Sequence, residues 1–472
     1  MKKSPFRSPR GVALIVAAAL FMIFLDGTIL VTSFPQMART FGVSAVAMNS
    51  AVTAYLLAVA AFMPLSGWIS DRFGAKRVFA AAVALFTLAS VGCAVAPSFT
   101  LFLVARVLQG VAGALIMPIG RAISVQKVQK QEIMQATALI TWPALIAPVL
   151  GPVLGGAIST WLDWRWNFLL NAPIGLLGVM LILAFIPDDR ERLRRPLDIV
   201  GGVLTSTALI LLIYALERLG APGQAINSAV LLAIALALGL AAYVWLGRAS
   251  HPILDLRPLR LTSFCVSTVD AGALQRVAIN ATPFLLPLML QETWALNPWQ
   301  AGLVLFAYFC GNLGMKSVTT PLLRRFGFRR VLVGNGLVVA GSVAACGLLV
   351  ARTPLPVTAA VVLLAGAARS LQMTALNTLG LAETPGEQRA AAALLSSMGQ
   401  QVAMALGVAA GAQLLHLAAN LRGQATLSAG DFRFAFLAIG GIGLLGVALT
   451  FRLHPDAGWE VSGQAQRRRA AP

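Results

Sequence analysis

The sequence has little charge, and what charge it has is poor in acid. Only 11% of its 472 residues are charged, and 17 Asp and Glu stand against 36 Lys and Arg. A soluble domain usually carries about 25% charged residues. With 58% hydrophobic residues and a mean hydropathy of +0.81, the composition excludes a water-soluble protein. It indicates a chain whose solvent is the lipid bilayer.

Cysteine and histidine are also scarce. The four cysteines all fall inside apolar runs and form no C-x-x-C pattern, which excludes a disulfide framework. The three histidines are scattered along the chain, so the sequence predicts no metal site. Neither H-E-x-x-H nor Gly-x-Ser-x-Gly is present. We therefore expect neither an enzyme nor a bound cofactor.

The net charge of +19 raises the question of nucleic-acid binding. Proteins that bind nucleic acid collect their basic residues on water-exposed faces. Here Lys and Arg occupy short gaps between long apolar runs, a pattern typical of membrane topology. The sequence predicts no nucleic-acid partner. The expected partners are a small-molecule substrate and membrane lipid, for a chain that works as a monomer.

Long apolar runs are the dominant feature of the chain. About 20 helical residues are needed to cross a hydrocarbon core of roughly 30 Å. The sequence predicts fourteen spans of this length, near residues 11–34, 49–70, 78–97, 100–121, 133–159, 167–187, 198–216, 225–247, 264–291, 299–319, 329–351, 355–377, 389–416 and 431–452.

The distribution of Lys and Arg gives the orientation. If residues 1–10 are cytoplasmic, 26 of the 36 Lys and Arg lie in inside segments and only 6 in outside loops. Both tails, residues 1–10 and 453–472, are then predicted to be cytoplasmic, and Arg467–Arg469 would anchor the second tail to anionic lipid. Trp161, Trp164 and Trp166 fall at outer boundaries, which predicts an interfacial belt.

A short internal repeat divides the chain. Arg72–Val78 reads RFGAKRV and Arg325–Val331 reads RFGFRRV, each after a predicted span that runs inward. Duplicated halves with a substrate site at mid-membrane are a recurring plan of transporters. The predicted domains are six-helix bundles at 11–187 and 248–452, with a linker and two inserted helices at 188–247.

Several motifs resemble those of one family. The segment GWISDRFGAKR (Gly67–Arg77) resembles the cytoplasmic-loop signature of the major facilitator superfamily. RVLQG (Arg106–Gly110) resembles its fourth-helix signature, and GPVLGG (Gly151–Gly156) its fifth-helix signature. Other segments are similar to the fourteen-helix drug/proton antiporter branch (EmrB/QacA type), especially its MdtD-like members: LDGTILVTSFP (Leu25–Pro35), WRWNFLLNAPIG (Trp164–Gly175) and FLLPLMLQ (Phe284–Gln291).

The resemblance implies a fold and a function. The fold would be an all-α integral membrane protein with two six-helix bundles plus two inserted helices. The function would be proton-coupled efflux of small molecules or drugs across a bacterial inner membrane, with the proton gradient as the energy source. Gating residues are expected in the cytoplasmic loop and the fifth span, where glycine permits close helix approach and proline a kink. They are Gly67, Asp71, Arg72, Gly74, Pro148, Gly151, Pro152, Gly155 and Gly156.

Charged residues inside predicted spans indicate functional sites, because each is costly unless it is paired or hydrated. Asp26 and Arg106 both lie several ångströms, about 5 and 7 Å, to the outer side of their span midpoints. We expect them to form a proton-coupling pair, with Gln109 lining the same cavity. The alternative is a static ion pair or a water-facing acid.

Four more charges fall in the second half. Asp270 and Lys316 both lie about 10 Å to the inner side and are predicted to form a structural ion pair. Arg276 and Arg369 lie near mid-depth without an acidic partner. Together with Asn280 they are predicted to line a substrate cavity for an anionic or zwitterionic molecule. The alternative is that the two arginines bond backbone carbonyls and Asn280 or Asn377.

Other functions stay open at this point. A membrane sensor or assembly factor that has lost transport is disfavoured, because no long loop or soluble domain is present. A proton-coupled importer is not excluded by the residues themselves. Within export, the chain could be dedicated to organic anions or metal-carboxylate chelates.

Overall fold

The computed structural model describes residues 9–44, 46–125, 133–187, 196–218, 225–423 and 426–459, and over these ranges the chain is helical without a β-strand. The predictions for residues 188–195 and for Arg467–Arg469 fall outside the described residues.

Helices of the first part of the chain end near Arg248. They are α1 (Pro9–Ile29), α2 (Phe34–Phe41), α3 (Asn49–Phe62), α4 (Leu65–Phe73), α5 (Ala75–Val95), α6 (Phe99–Val125), α7 (Ile133–Trp161), α8 (Trp166–Leu169), α9 (Asn171–Phe185), α10 (Ile199–Arg218) and α11 (Ala225–Arg248).

Helices of the second part begin with a short segment. They are α12 (Thr262–Thr268), α13 (Ala271–Glu292), α14 (Pro298–Gly314), α15 (Lys316–Phe326), α16 (Phe328–Leu348), α17 (Leu355–Ala382), α18 (Arg389–Leu421) and α19 (Ala429–Thr450).

Each of the fourteen predicted spans coincides with a helix or a bent helix pair. Among the described residues, ten helices are long and apolar enough to cross a membrane, and two bent pairs bring the number to 12. The two remaining predicted spans fall on α7 and α10, whose apolar stretches Ile146–Trp161 and Ile199–Ala215 are shorter. The all-α membrane fold predicted from hydropathy is confirmed.

The two bent pairs each run into one copy of the sequence repeat. Helices α3 and α4 meet at 60°, and α14 and α15 meet at 46°. Each pair ends at a glycine of the RFG motif, Gly74 with φ 92° and Gly327 with φ 77°. Because L side chains avoid positive φ, glycine is the residue that permits these turns. The repeat in the sequence therefore marks two equivalent helix–turn–helix corners.

The chain divides into two compact units, and the first comprises Met1–Ile210, Ala249–Ile253 and Asn297–Gly302. Within it α1 packs on α7, α6 packs on α3 and α5, and α9 packs on α5. An aromatic cluster of Trp164, Phe41, Phe102 and Phe168 lies where α2, α6 and α8 come together. The place in an interfacial belt predicted for Trp164 is wrong, because its side chain is 0% exposed and faces the protein. Its indole N–H donates to Thr40 Oγ1 at 3.2 Å, so the ring belongs to the core.

The second unit comprises Leu211–Arg248, Leu254–Leu296 and Leu303–Pro472. Helix α13 packs on α18 and α19, and α16 packs on α17 and α19. A buried polar chain links four of these helices. The Gln275 amide donates to Thr450 Oγ1 at 3.1 Å, the Gln372 amide donates to Gln275, and Asn335 donates to Gln372 at 2.7 Å. These interhelical hydrogen bonds supply partners to side-chain amides, which lipid could not do.

Helix α11 exposes apolar side chains over most of its surface, and α10 exposes several. Only 17% of the most apolar 18-residue stretch of α11 is buried. Such a surface is suited to lipid contact. The boundary between the two units falls inside α10, after Ile210. The assignment of residues 188–247 to a separate inserted segment stays a prediction.

Candidate functional site

The first unit contains a buried carboxylate at the centre of a hydrogen-bond network. Asp26 on α1 is 2% exposed, and its Oδ2 lies 2.7 Å from Nη1 of Arg106 on α6, which is 1% exposed. The pairing of these two residues predicted from span depth is confirmed. The other carboxylate oxygen, Oδ1, accepts the side-chain amides of Gln109 at 3.2 Å and Asn171 at 2.9 Å. Three donors from two helices thus converge on one acid.

Arg106 is held by more than its acid. Its Nη1 also donates to Gln109 Oε1 at 2.7 Å, and its Nε donates to the carbonyl of Ala51 on α3 at 3.3 Å. The guanidinium carbon lies 4.8 Å from the centroid of the Tyr55 ring. Arg106 and Gln109 are three residues apart, so they share one face of α6. This spacing in the RVLQG motif places both side chains against Asp26.

Two members of the network escaped the sequence reasoning. Asn171, at the beginning of α9, donates to Ser90 Oγ at 2.9 Å as well as to Asp26. Ser90 on α5 in turn donates to the carbonyl of Phe168 at 3.0 Å. The sequence does mark Asn171, because this residue lies in the WRWNFLLNAPIG motif. Its polarity inside an apolar stretch could have identified it, since such residues need interhelical partners.

The fifth-span glycines lie against the helix that carries Asp26. A Cβ atom at Gly151 would overlap the side chain of Thr28, and one at Gly155 would overlap the carbonyl oxygen of Ile29. Helix α7 therefore contacts α1 within one turn of Asp26. Gly156 faces Pro298, a residue of the first unit, in the same way. The close approach predicted for this motif is confirmed.

Pro148 and Pro152 both lie inside α7, which continues through them as one helix from Ile133 to Trp161. Each proline lacks the N–H that an uninterrupted helix would use. The kink and the gating motion predicted from them stay predictions.

The cytoplasmic loop agrees only in part with its predicted roles. Gly74 makes the turn expected of it, with φ 92° and ψ 130°. The helix approach predicted at Gly67 is wrong, because no heavy atom lies within 4 Å of a Cβ built there. Asp71 makes no hydrogen bond or ion pair with the described part of the chain, and Arg72 is exposed. The gating role predicted for Asp71 and Arg72 stays a prediction.

The ion pair predicted between Asp270 and Lys316 is wrong. Asp270 Oδ2 accepts Nη1 of Arg452 at 2.6 Å, and Lys316 Nζ donates to Thr374 Oγ1 at 2.7 Å. The reason is a helix break. Asp270 lies at the interruption between α12 and α13, where Arg452, just past the end of α19, reaches it.

The mid-depth arginines bond neutral oxygens. Arg276 donates from Nη1 to the carbonyl of Ser267 at 2.7 Å and from Nη2 to Asn377 Oδ1 at 3.0 Å. Arg369 donates to the carbonyl of Ile279 at 3.5 Å. These are the backbone and asparagine partners of the alternative interpretation, with Asn377 rather than Asn280 as the amide. Asn280 is buried one turn beyond Arg276, with its Cβ beside the position of Gly407.

Substitution of Asn171 gives a direct check on the network. We expect Asn171→Ala to lower proton-driven transport about tenfold, because it removes a charge-assisted hydrogen bond to Asp26. Initial rates in proteoliposomes with an imposed pH gradient provide the measurement.

Asn167 is the matched control for this variant. It lies one turn earlier in the same motif and donates to Ser33 Oγ at 2.7 Å, away from Asp26. Asn167→Ala should reduce thermal stability while leaving transport within about twofold of the parent protein. Equal losses of transport in both variants would mean that Asn171 acts only in folding.

Groups of three or more metal-ligating side chains are not found among the described residues. The site consists of Asp26, Arg106 and three uncharged polar side chains, those of Gln109, Asn171 and Ser90. A buried acid in a membrane span marks a candidate site for ion or proton passage.

Comparisons with known proteins identify the family of the chain. The family model of the Major Facilitator Superfamily matches residues 16–274 and 271–471. The chain is 34% identical over 395 residues to multidrug resistance protein MdtD of Serratia proteamaculans, covering 84% of this chain and 82% of that protein. It is 33% identical over 458 residues to MdtD of Klebsiella pneumoniae, covering 94% of both chains.

A solved structure shows the same fold at low sequence identity. The crystal structure of a D-xylose-proton symporter matches with a TM-score of 0.68 at 15% identity, covering 93% of this chain and 96% of that one. At this identity the likeness concerns the fold alone. The family model, the relatives and the fold agree, and the chain belongs to the Major Facilitator Superfamily.

Proposed function

We propose that this protein is a proton-coupled exporter that moves small molecules or drugs across a bacterial cytoplasmic membrane by alternating access. The observation that carries the proposal is the Asp26–Arg106 pair, 2% and 1% exposed and held by Gln109 and Asn171. The relatives named multidrug resistance protein MdtD support drug export as the activity. The proton gradient supplies the energy, and no cofactor is required.

Protonation of Asp26 changes how α1 is held. The ionised carboxylate accepts three hydrogen bonds, from Arg106 and Gln109 on α6 and from Asn171 on α9. A neutral carboxyl group is a weaker acceptor and loses the charge attraction of Arg106. Arg106 keeps its bonds to Gln109 and to the carbonyl of Ala51, so it is not left without partners. A proton therefore loosens α1 from α6 and α9.

The loosening can reach the fifth span. Thr28 and Ile29, which contact the positions of Gly151 and Gly155, follow Asp26 within one helical turn. A small rotation or shift of α1 would move its contact with α7. In this way the protonation state of one carboxylate biases the arrangement of two packed helices, which is what coupled transport requires.

The orientation follows from charge. With both termini cytoplasmic, basic residues concentrate on the inside of the membrane. The partners of the protein are then the transported molecule and membrane lipid, and the protein functions as a monomer.

Export of lipophilic drugs is tested by proton movement in proteoliposomes. Purified protein is reconstituted with an imposed pH gradient and challenged in turn with lipophilic cations, neutral drugs and organic anions. Collapse of the gradient by one class, absent in liposomes without protein, supports antiport. If the pH gradient collapses only when substrate is added on the side with the excess of protons, the protein is a symporter and an importer instead. No response from folded protein to any class favours the sensor without transport.

A further inference from the structure

Three cations in the helices of the second unit lack an acidic partner. They are Arg276 on α13, Lys316 on α15 and Arg369 on α17, and within the described residues none of them lies in ion-pair distance of a carboxylate. Two acids of this unit form ion pairs with other arginines. Asp270 binds Arg452, and Asp431 binds Arg422. The first unit shows the opposite arrangement, with its buried arginine neutralised by Asp26.

The three cations converge on helix α17. Arg276 donates to Asn377, Lys316 donates to Thr374, and Arg369 lies on α17 itself. Thr374 and Asn377 are three residues apart, so their Cβ atoms are about 5–6 Å from one another on one helix face. Arg369 donates to the carbonyl of Ile279, which lies three residues from Arg276 on α13. Three positive charges are thus collected along one helix.

The geometry of Arg276 is built by a helix break. Helix α12 ends at Thr268 and α13 begins at Ala271, which leaves the carbonyl of Ser267 without its helical donor. That carbonyl accepts Arg276 Nη1 at 2.7 Å. A Cβ at Gly272 would overlap the same carbonyl and lie 2.8 Å from Nη1, so glycine is required beside the contact. An interrupted helix that positions a charge is typical of transporter binding sites.

Hydrogen-bond capacity is left over in this cluster. The Nε atom of Arg276 is buried and has no partner. Arg369 and Lys316 are half-exposed, and in a membrane span such cations must face water rather than lipid. The neutral partners of the three cations accept individual hydrogen bonds but do not neutralise the positive charges. A guanidinium fork matches a carboxylate or phosphate in two parallel bonds.

From this juxtaposition we infer that Arg276, Lys316 and Arg369 form an oxyanion site, and that the transported molecule carries a carboxylate or phosphate group that binds there. The inference rests on the proposed function, whose substrate class it specifies. Asp26 in the first unit then handles the proton, while the second unit neutralises its cations with the substrate. A small inorganic anion has the same chemistry, and the test separates the two sources.

Binding to the purified protein in detergent tests the site without requiring transport. Thermal stabilisation is measured with a panel of organic carboxylates and phosphate monoesters, each beside its uncharged amide or triester analogue. Inorganic phosphate and chloride form separate arms, and tetraphenylphosphonium represents the lipophilic cations. We expect saturable stabilisation by an organic oxyanion, none by its neutral analogue, and none by either inorganic ion at equal concentration.

Variants assign the binding to the cluster. Arg369→Gln and Lys316→Gln should each weaken oxyanion binding about tenfold or more, because each removes a charge-assisted hydrogen bond. Arg369 and Lys316 are both half-exposed, so these variants should fold. Arg276→Gln is a third variant, at a fully buried position. Arg433→Gln is the control, since Arg433 is exposed on α19 and takes no part in the cluster. Its affinity should equal that of the parent protein.

Several outcomes would overturn the inference. They are binding of tetraphenylphosphonium but of no organic oxyanion, equal stabilisation by inorganic phosphate, and an affinity unchanged by Arg369→Gln and Lys316→Gln. Failure of the proposed function looks different. In that case an organic oxyanion binds as expected, but its addition moves no protons in proteoliposomes. Conversely, proton movement driven by lipophilic cations alone would leave the exporter standing and remove the oxyanion site.

Discussion

Replacement of Asp26 by Asn should reduce transport driven by a pH gradient to the level of liposomes without protein. Asn keeps the size of the side chain and one acceptor oxygen, but it cannot take up a proton. The variant should still exchange labelled for unlabelled substrate when no gradient is present, because exchange does not require net proton movement. Gradient-driven uptake and exchange, measured on the same proteoliposomes, separate loss of coupling from loss of the binding site.

The chain offers a matched control for this variant. Asp431 is also a buried carboxylate, 1% exposed, and is paired with Arg422 in the second unit. Its Oδ2 also accepts the backbone N–H of Ser428 at 2.8 Å, in a capping box at the beginning of α19. Removing one partner of the fully buried Asp26–Arg106 pair costs about 3–5 kcal/mol. Asp431→Asn weakens an ion pair and a helix cap, so both Asn variants should lose stability. Only Asp26→Asn should lose coupling, and equal transport losses in the two would reduce Asp26 to a structural role.

Enlargement of Gly155 is expected to have the second large effect. A Cβ there would overlap the backbone oxygen of Ile29 and approach Thr32 Oγ1, so Gly155→Ala must push α7 away from α1. Overpacking of this kind costs about 1–3 kcal/mol. We expect a melting temperature several degrees lower and a loss of transport larger than the loss of folded protein. Thermal unfolding in detergent and gradient-driven uptake measure the two effects.

Gly151 provides an internal comparison. A Cβ at Gly151 meets mainly the side chain of Thr28, which can be trimmed, whereas the obstacle at Gly155 is backbone. Thr28→Ala should therefore restore part of the activity lost in Gly151→Ala but none of that lost in Gly155→Ala. Gly27→Ala on α1 is the neutral control, because nothing lies within 4 Å of its added Cβ. Identical behaviour of all three glycine variants would show that the α1–α7 contact is not special.

Hydropathy was enough to predict the helices, because a bilayer requires long apolar segments whatever their packing. It could not predict where spans break. Pro64 directly precedes α4 at the 60° bend, whereas the α12–α13 interruption at Asp270 has no comparable sign in the local composition. Asp270 lies at that interruption and pairs with Arg452 rather than with Lys316. An estimate based on a regular rise per residue assumes an unbroken helix.

The candidate site could be predicted where depth alone decides the partner. Asp26 and Arg106 lie at similar depths on unbroken helices, and they pair as predicted. Asn171 and Ser90 were missed because their contribution depends on how α5 and α9 are rotated toward α1. Rotation is set by side-chain packing over many residues. The burial of Trp164 was missed for the same reason, since an aromatic residue near a span end fits both an interfacial belt and a core.

The most direct test of the central claim is proton release on substrate binding. Purified protein in weakly buffered detergent receives a substrate found in the liposome screen, and a pH-sensitive dye reports protons released or taken up. Proton antiport through Asp26 predicts release of about one proton per bound substrate from the parent protein and from Asp431→Asn. Asp26→Asn should bind substrate and release none. Equal release from Asp26→Asn would contradict the account, because the coupled proton would then reside on another group.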